Sequence, residues 1–395
     1  MGSALAPAAQ HSRYRHHVPV GAALLLWLVP SLDYIQKYTG QIGLLVVPLI
    51  AVSAIVVLPA IAGRLGPNLA KWGIVVLCGA AIALFVVLYP IANSGLLGPG
   101  SDRDDALNVA LQALLAGQYP YGVETYLGNP PTPMPGALIL ALPFFVLGNS
   151  ALQNLVWLPV FARWCLHYFE EPTMAFIYLA IFIIGCPASL GDFVTGGDYL
   201  VNALYVAVAM AAVLWAQQGD KTWYRYAASV FLGVAISSRP IYAIAPVLLA
   251  GSVFQASGAR RAMEFVAIVV LVCAVLNGPL FLYDPSRFPT AHLSEKLSGF
   301  PQFVHATIVL PALGMAIASL SFFVTMTGKR VFGLMALALG VMLYPVAVLD
   351  IAISSFDANS FSTASFSLPV TLFAGLWISE KFVADRRRRA LPAAT

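Results

Sequence analysis

Three carboxylates fall within four residues, at Asp102, Asp104 and Asp105, in the stretch SDRDDALNVALQALLAGQYPYGVETYLGNPPTPMPG from Ser101 to Gly136. A carboxylate in such a loop can take a proton from a substrate hydroxyl. Asp102-Arg103-Asp104 also spells Asp-x-Asp, and three acids together can hold a divalent ion, although no His/Asp cluster completes a clear metal site. A second chemical group stands far along the chain. Arg239 precedes Pro240 in an otherwise apolar segment, and a charge inside a membrane segment is functional by default. Arg287, His292 and Lys296 are further basic candidates, and Tyr119, Tyr121 and Tyr126 supply aromatic faces. Each has a plainer reading. The aspartates cap and solvate a helix; Arg239 pairs with Asp192 or Asp198; Asp198 caps the helix it begins. Arg287, His292 and Lys296 are solvated loop charges, and the tyrosines mark a membrane interface.

The elements that must carry these groups are apolar helices. The chain has 395 residues, 60% of them hydrophobic and only 10% charged, with a mean hydropathy of +0.83. A soluble domain carries roughly 25% charged residues. Repeated apolar runs of about 20 residues predict an all-α, polytopic transmembrane protein; a β-barrel would show short alternating segments instead. The predicted spans are 18–34, 43–63, 72–92, 136–166 (broken near Gly148-Asn149), 173–187, 199–216, 226–238, 240–255, 263–282, 302–327, 331–349 and 361–380. That is about twelve, with a range of about 11–13. The polar leader Met1–His17 precedes the first run without a convincing cleavage site, so no cleavable signal is expected. Cys78, Cys165, Cys186 and Cys273 are scattered in apolar runs and read as small core residues.

Basic residues set the orientation. With a cytoplasmic N-terminus, sixteen Lys and Arg fall on the cytoplasmic side and five (Lys37, Arg103, Arg239, Arg287, Lys296) on the other. The acids go the opposite way, Asp33, Asp102, Asp104, Asp105, Glu124, Asp192, Asp198, Asp284, Glu295, Asp350 and Asp357 all mapping outward. One integral membrane domain is therefore expected over 1–395: three helices in 1–93, an outer loop at 94–135, the remaining helices in 136–382 with a second outer loop at 283–302, and a basic cytoplasmic tail at 383–395. The expected location is a multi-pass protein of the cell membrane, both termini cytoplasmic.

Within the acidic stretch, Ser101 fits an N-cap with Asp104 at the third helical position, close to a capping box. A helix from about Arg103 to Ala116 should follow and lie in the membrane interface, with Asp105, Asn108 and Gln112 on one stripe and Leu107, Leu111, Leu114 and Leu115 on the apolar side. Gly117 should end it. Only about 13 residues separate Arg225 from Arg239, roughly 20 Å of helix, short of the roughly 30 Å hydrocarbon core. This predicts a hairpin of short helices with Arg239 at its apex, inside a protein cavity.

An acid in the first large outer loop, an interfacial helix, ALLAGQYPY and the Pro-rich return PPTPMPGALILALPF together resemble the GT-C superfamily of membrane glycosyltransferases. The branch most similar is the polyprenyl-phosphate-mannose-dependent mannosyltransferases. GDFVTGGDYLVNALYVAVAMAAVLWA, LGVAISSRPIYAIAPVLL and LNGPLFLYDPSRF resemble its second outer turn, its helix with a basic residue before proline, and its late outer loop. The resemblance spans roughly Ser101 to Phe300. One departure is that the acidic loop follows the third helix here, whereas the family's follows the first. The resemblance implies transfer of a hexose, mannose by that branch, from a polyprenyl-phosphate donor to a glycolipid, glycan or protein acceptor outside the cytoplasm. It implies membrane lipid as surroundings and no nucleic acid. No nucleotide motif is present: there is no GxxxxGK[ST] and no dinucleotide GxGxxG with its acid. Inverting transfer needs one carboxylate to deprotonate the acceptor and cations or donors to hold the leaving phosphate. Family spacing back from Gly117 puts the base nearest Asp102, then Asp105 and Asp104. Arg239 is the first phosphate ligand, with Arg287, His292, Lys296, Tyr121 and Asp198 as further substrate contacts. The resemblance implies no resident cofactor. The alternative is a secondary transporter or flippase, although the sequence shows no internal repeat.

Overall fold

Proline opens many of the helices. Its missing N–H and fixed φ suit the first helical position, and Pro67, Pro135, Pro172 and Pro187 each occupy it. The computed structural model describes residues 21–22, 24–62, 64–94, 101–219, 221–292, 305–354 and 363–390. The Met1–His17 leader, Glu295, Lys296 and Asp357 lie outside the described residues.

Among the described residues the regular elements are all helical. A short 3-10 turn leads into α1 (Leu32–Ala62), which breaks at Gly40 (φ 65°). Then come α2 (Pro67–Ala92), α3 (Arg103–Leu115), α4 (Pro135–Val146) and α5 (Gln153–Tyr168). Next are α6 (Pro172–Tyr178, extended by a π turn over Leu179–Ile184), α7 (Pro187–Val194), α8 (Tyr199–Ala216) and α9 (Thr222–Ile236). The chain closes with α10 (Ala245–Ser257), α11 (Ala259–Tyr283), α12 (Ala306–Ser319), α13 (Gly328–Ile353) and α14 (Leu368–Ala390). Five of these helical stretches are long and apolar enough to cross a membrane alone, or seven if each of two bent pairs counts as one span. Three shorter apolar helices, Ile42–Leu58, Ala306–Phe322 and Ala364–Ser379, accompany them. The chain is thus a multi-pass helical membrane protein. Among the described residues, by length and composition alone, these are fewer full spans than the twelve expected.

Three local features differ from expectation or sharpen it. The first two expected spans, 18–34 and 43–63, meet without a loop, because helix continues through Thr39 to the Gly40 break. The 136–166 run breaks where expected: Gly148 adopts φ 122°, and α4 and α5 diverge by 100°. The hairpin around Arg239 has one short arm, not two. α9 has 15 residues, but Pro240–Ile244 forms a 3-10 turn that runs on into α10, giving an 18-residue second arm. Proline at the start of that turn loses no hydrogen bond, so the helix begins at once.

Contacts between helices far apart in sequence define the two ends of the bundle. At one end Tyr89 meets Asp104, the Met134 N–H donates to Ser238 O (3.1 Å), and Tyr119 Oη donates to Leu280 O and Asp284 O (both 3.0 Å). At the opposite end Ser257 bonds Gln217 (3.3 Å), Gln255 donates to Ser321 O (2.8 Å), and Lys71, Arg163 and His167 share a cavity.

One close approach fixes the end of the bundle that carries the acidic stretch. The Gly136 N–H donates to Ser237 O (2.9 Å), and a Cβ on Gly136 would sit 2.1 Å from Val234 O and 2.6 Å from Ser237 C. The start of α4 therefore lies directly on the end of α9, two residues from Arg239. Gly136→Ala must push the two helices apart. We expect it to destabilise the protein by at least the ~1–3 kcal/mol of ordinary overpacking, read as a lower melting temperature in detergent. An unchanged melting temperature would mean the helices do not touch there.

Candidate functional site

Two ion pairs, each built on a buried aspartate, flank one aromatic ring. Arg103 Nη1 lies 2.5 Å from Asp192 Oδ1, and Arg239 Nη2 lies 2.5 Å from Asp198 Oδ2 and 2.7 Å from Oδ1. Both guanidiniums rest against Tyr199, at 4.0 Å and 4.8 Å from the ring centroid. Arg103 also donates to Tyr34 Oη (2.8 Å) and Ser365 Oγ (3.0 Å), and Arg239 Nη1 donates to Thr132 Oγ1 (2.9 Å). Arg239 Nε has no partner among the described residues.

The local fold makes these contacts unavoidable. Arg239 is extended (φ −151°, ψ 140°), because the residue before proline avoids helical φ/ψ. Asp198 stands at the N-cap position of α8 but makes no side-chain cap bond. That duty falls to Asp192, whose Oδ2 accepts the Leu200 N–H (2.8 Å). The turn between them needs both glycines. Gly196 has φ 76°, and a Cβ on Gly197 would come within 2.1 Å of Asp192 Oδ1.

The three acids of the opening stretch have separate surroundings. α3 begins at Arg103 with Asp102, not Ser101, at the N-cap position, and no side chain caps it. The half-buried Asp102 carboxylate points instead into the following loop, where Oδ2 accepts from Thr125 Oγ1 (2.8 Å) and Asn129 Nδ2 (2.7 Å). Asp105 Oδ2 accepts the Tyr126 N–H (2.8 Å). Asp104 turns inward, and Tyr89 Oη donates to its Oδ2 at 2.5 Å while Asn149 Nδ2 donates to the same hydroxyl at 2.7 Å. Burial raises the Asp104 carboxyl from the ordinary 3.8 to about 6, against the opposing effect of the Tyr89 hydroxyl. At its far end α3 closes as expected. Gly117 has φ 72°, the Gln118 N–H reaches Ala113 O (2.8 Å), and the Gly117 N–H reaches Leu114 O (3.1 Å), which is a full Schellman motif. The apolar side divides. Leu107 and Leu111 are buried against Ala137, Leu138 and Ala141, while Leu114 and Leu115 are exposed. Asn108, expected on the polar stripe, accepts the Ser150 N–H (3.0 Å).

The late loop folds against the early one. Tyr121 is buried with Met134 and Phe288, edge-on to Phe288 at 5.5 Å. Its role is packing between the two loops, and its hydroxyl has no partner among the described residues. Arg287 is exposed and pairs with Asp284 at 3.6 Å. The Ser286 hydroxyl, more than Arg287, holds the Asp284 carboxyl below its usual range. His292 lines the same cavity as Arg239, Thr132, Tyr199 and Asn202; the rest of that wall is largely apolar, with Ile241, Leu343 and Phe366. Lys296 lies outside the described residues. Among the described residues no three His, Cys, Asp or Glu side chains gather as metal ligands.

The structure therefore brings Arg239 and His292 to one cavity, with Asp198 paired to Arg239 and Tyr121 and Arg287 in the neighbouring loop contact. Asp102, Asp104 and Asp105 diverge from a common helix start. Arg103 was missed as a site residue because it sits among three acids and reads as part of a solvated cluster. A signal was present: Arg103, Ala106, Leu107, Ala110 and Leu111 share one helical face, the buried one. No family model, curated protein or solved structure matches the chain.

Asp104 yields a pH prediction. A carboxyl whose pKa rises on folding holds its proton longer in the folded state, so it favours folding at low pH. That advantage is lost as pH climbs through the window from about 4 to about 6. Asn at this position still accepts from Tyr89 and carries no charge. Asp104→Asn should flatten the fall in stability across that window and, above pH 7, melt no lower than wild type. The ceiling on the gain is about 3 kcal/mol for a shift of this size. A variant that melts lower than wild type at pH 7.5, or follows the same pH curve, would refute this role.

Proposed function

We propose that this chain is a membrane glycosyltransferase that moves a hexose, mannose by family resemblance, from a polyprenyl-phosphate donor to an extracytoplasmic acceptor hydroxyl. The observation that carries the reading is Arg239: a buried guanidinium at the head of a largely apolar cavity, beside the loop stitched together by Asp102. That combination suits a phosphate with a hydrocarbon chain. The guanidinium, which carries five N–H donors, is held by Asp198 and Thr132 through its two Nη atoms, and it borders the cavity. His292 stands on the same wall. The GT-C resemblance supports the same reaction, and the basic-residue bias supports an active site on the outer face with both termini cytoplasmic.

In this reading Asp102 is the base. Thr125 and Asn129 hold one carboxylate oxygen by two hydrogen bonds, which orients the other towards an acceptor hydroxyl. As the hydroxyl loses its proton to Asp102, its oxygen bonds to the anomeric carbon. The bond from that carbon to the phosphate oxygen breaks on the opposite face. The departing phosphate gains negative charge, and the Arg239 guanidinium neutralises it. Asp198 keeps Arg239 in place between turnovers, and Asp105 holds the loop through the Tyr126 N–H.

Two variants test the assignment by radiolabel transfer from polyprenyl-phosphate mannose in isolated membranes. Asp102→Asn keeps both orienting hydrogen bonds in reach but cannot accept the proton. It should bind donor and lose roughly 10²–10⁴-fold in rate. Arg239→Lys keeps the charge but not the planar fork, so it should recover only part of the donor use that Arg239→Ala loses. Near wild-type transfer by Asp102→Asn would move the base elsewhere, Asp105 first. Solute uptake into vesicles with no sugar transfer by the wild-type protein would mark a transporter.

A further inference from the structure

The end of the bundle opposite Arg239 carries a second cavity, of about 480 Å³, walled by Lys71, Arg163, Leu166, His167, Glu170 and Pro172. Lys71 comes from the first turns of α2. Arg163 and His167 lie four apart on α5 and so share one face. Neither Lys71 nor Arg163 forms an ion pair among the described residues, where the ion pairs are Arg103–Asp192, Arg239–Asp198, Arg260–Glu264 and Arg287–Asp284. Two cations thus converge on one hollow with a single carboxylate.

The wall beside the hollow is hydrocarbon-facing. α2 is 26 residues long, and only 22% of its apolar window is buried inside the protein. Leu69, Trp72, Val75 and Val76 are all exposed along it, each by more than half. Trp72 follows Lys71 directly, and tryptophan favours the depth where chains meet headgroups. A free anion would use the two cations and ignore this face; a lipid would use both.

We propose that this cavity binds the headgroup of one anionic phospholipid from the leaflet at the basic end of the bundle. Lys71 and Arg163 hold the phosphate, and the acyl chains lie along α2 beside Trp72. Glu170 accepts from hydroxyls on the headgroup, since a carboxylate has about four acceptor positions. The site is far from Arg239 and independent of the transferase reading.

The full chain in detergent, titrated with dioleoyl phosphatidylglycerol or dioleoyl phosphatidylcholine, tests this by native mass spectrometry of retained lipid. We expect one phosphatidylglycerol to be held more tightly than phosphatidylcholine. The Lys71→Gln/Arg163→Gln double variant should weaken phosphatidylglycerol by roughly 30-fold, the worth of two basic residues at an anionic surface, with little change in melting temperature without lipid. A control at the same end, Arg260→Gln/Arg261→Gln, should leave it unchanged. Equal retention by the Lys71/Arg163 variant, or an equal loss in the control, overturns the proposal. So does displacement of the lipid by millimolar inorganic phosphate, which would assign the cavity to the free anion.

Discussion

Two charges inside the bundle dictate what surrounds them. Taking an arginine and an aspartate out of water is costly, and their attraction repays it only when geometry is good and the remaining donors are matched. Arg103 and Arg239 meet that demand by drawing in parts of the chain far apart in sequence. Arg103 binds Tyr34, Asp192 and Ser365, and Arg239 binds Asp198 and Thr132. Tyr199 lies against both. The start of α1, the acidic helix, the α7–α8 turn, the Pro-rich return and the segment before α14 are thereby tied to one point. Removing one member of such a pair leaves its partner buried and uncompensated, typically a loss of 3–5 kcal/mol.

The early loop hangs from this point. Its acids differ in what they do for the fold because they leave the helix start in different directions. Asp102 and Asp105 fasten the loop from Thr125 to Asn129 onto α3, while Asp104 faces Tyr89 and Asn149 in the bundle. Only Asp102 and Asp105 therefore remain half-accessible from the loop side. Phe288 and the end of α11 pack on Tyr119 and Tyr121, so the segments around Tyr121 and Phe288 form one packed unit.

Much of this was legible in the sequence, for identifiable reasons. The break at Gly148, the Gly117 stop, the limits of α8 and the isolation of Arg239 before Pro240 are local events, set by glycine, proline and hydrophobic period. The pairing of Arg239 with Asp198 was one of two open options, because a buried arginine needs a carboxylate and only nearby acids qualify. What escaped was long-range. Nothing near Arg103 announces that Asp192, 89 residues on, and Ser365 will meet it. Asp102, at the N-cap position in place of Ser101, caps nothing because Thr125 and Asn129, which lie beyond the helix, take its carboxylate. The second arm of the hairpin, expected over 240–255, runs through its opening 3-10 turn to Ser257.

The short α9 has a consequence for the surrounding bilayer. Fifteen residues of helix span about 22 Å, well under a hydrocarbon core of about 30 Å. Such hydrophobic mismatch is relieved when lipid beside the helix thins. The polar boundary then dips towards the Ser237–Arg239 apex on that flank. An amphiphile sliding along α9 could bring its charged group level with Arg239 while its tail stays in oil, so docking there requires no extraction of chain from the membrane.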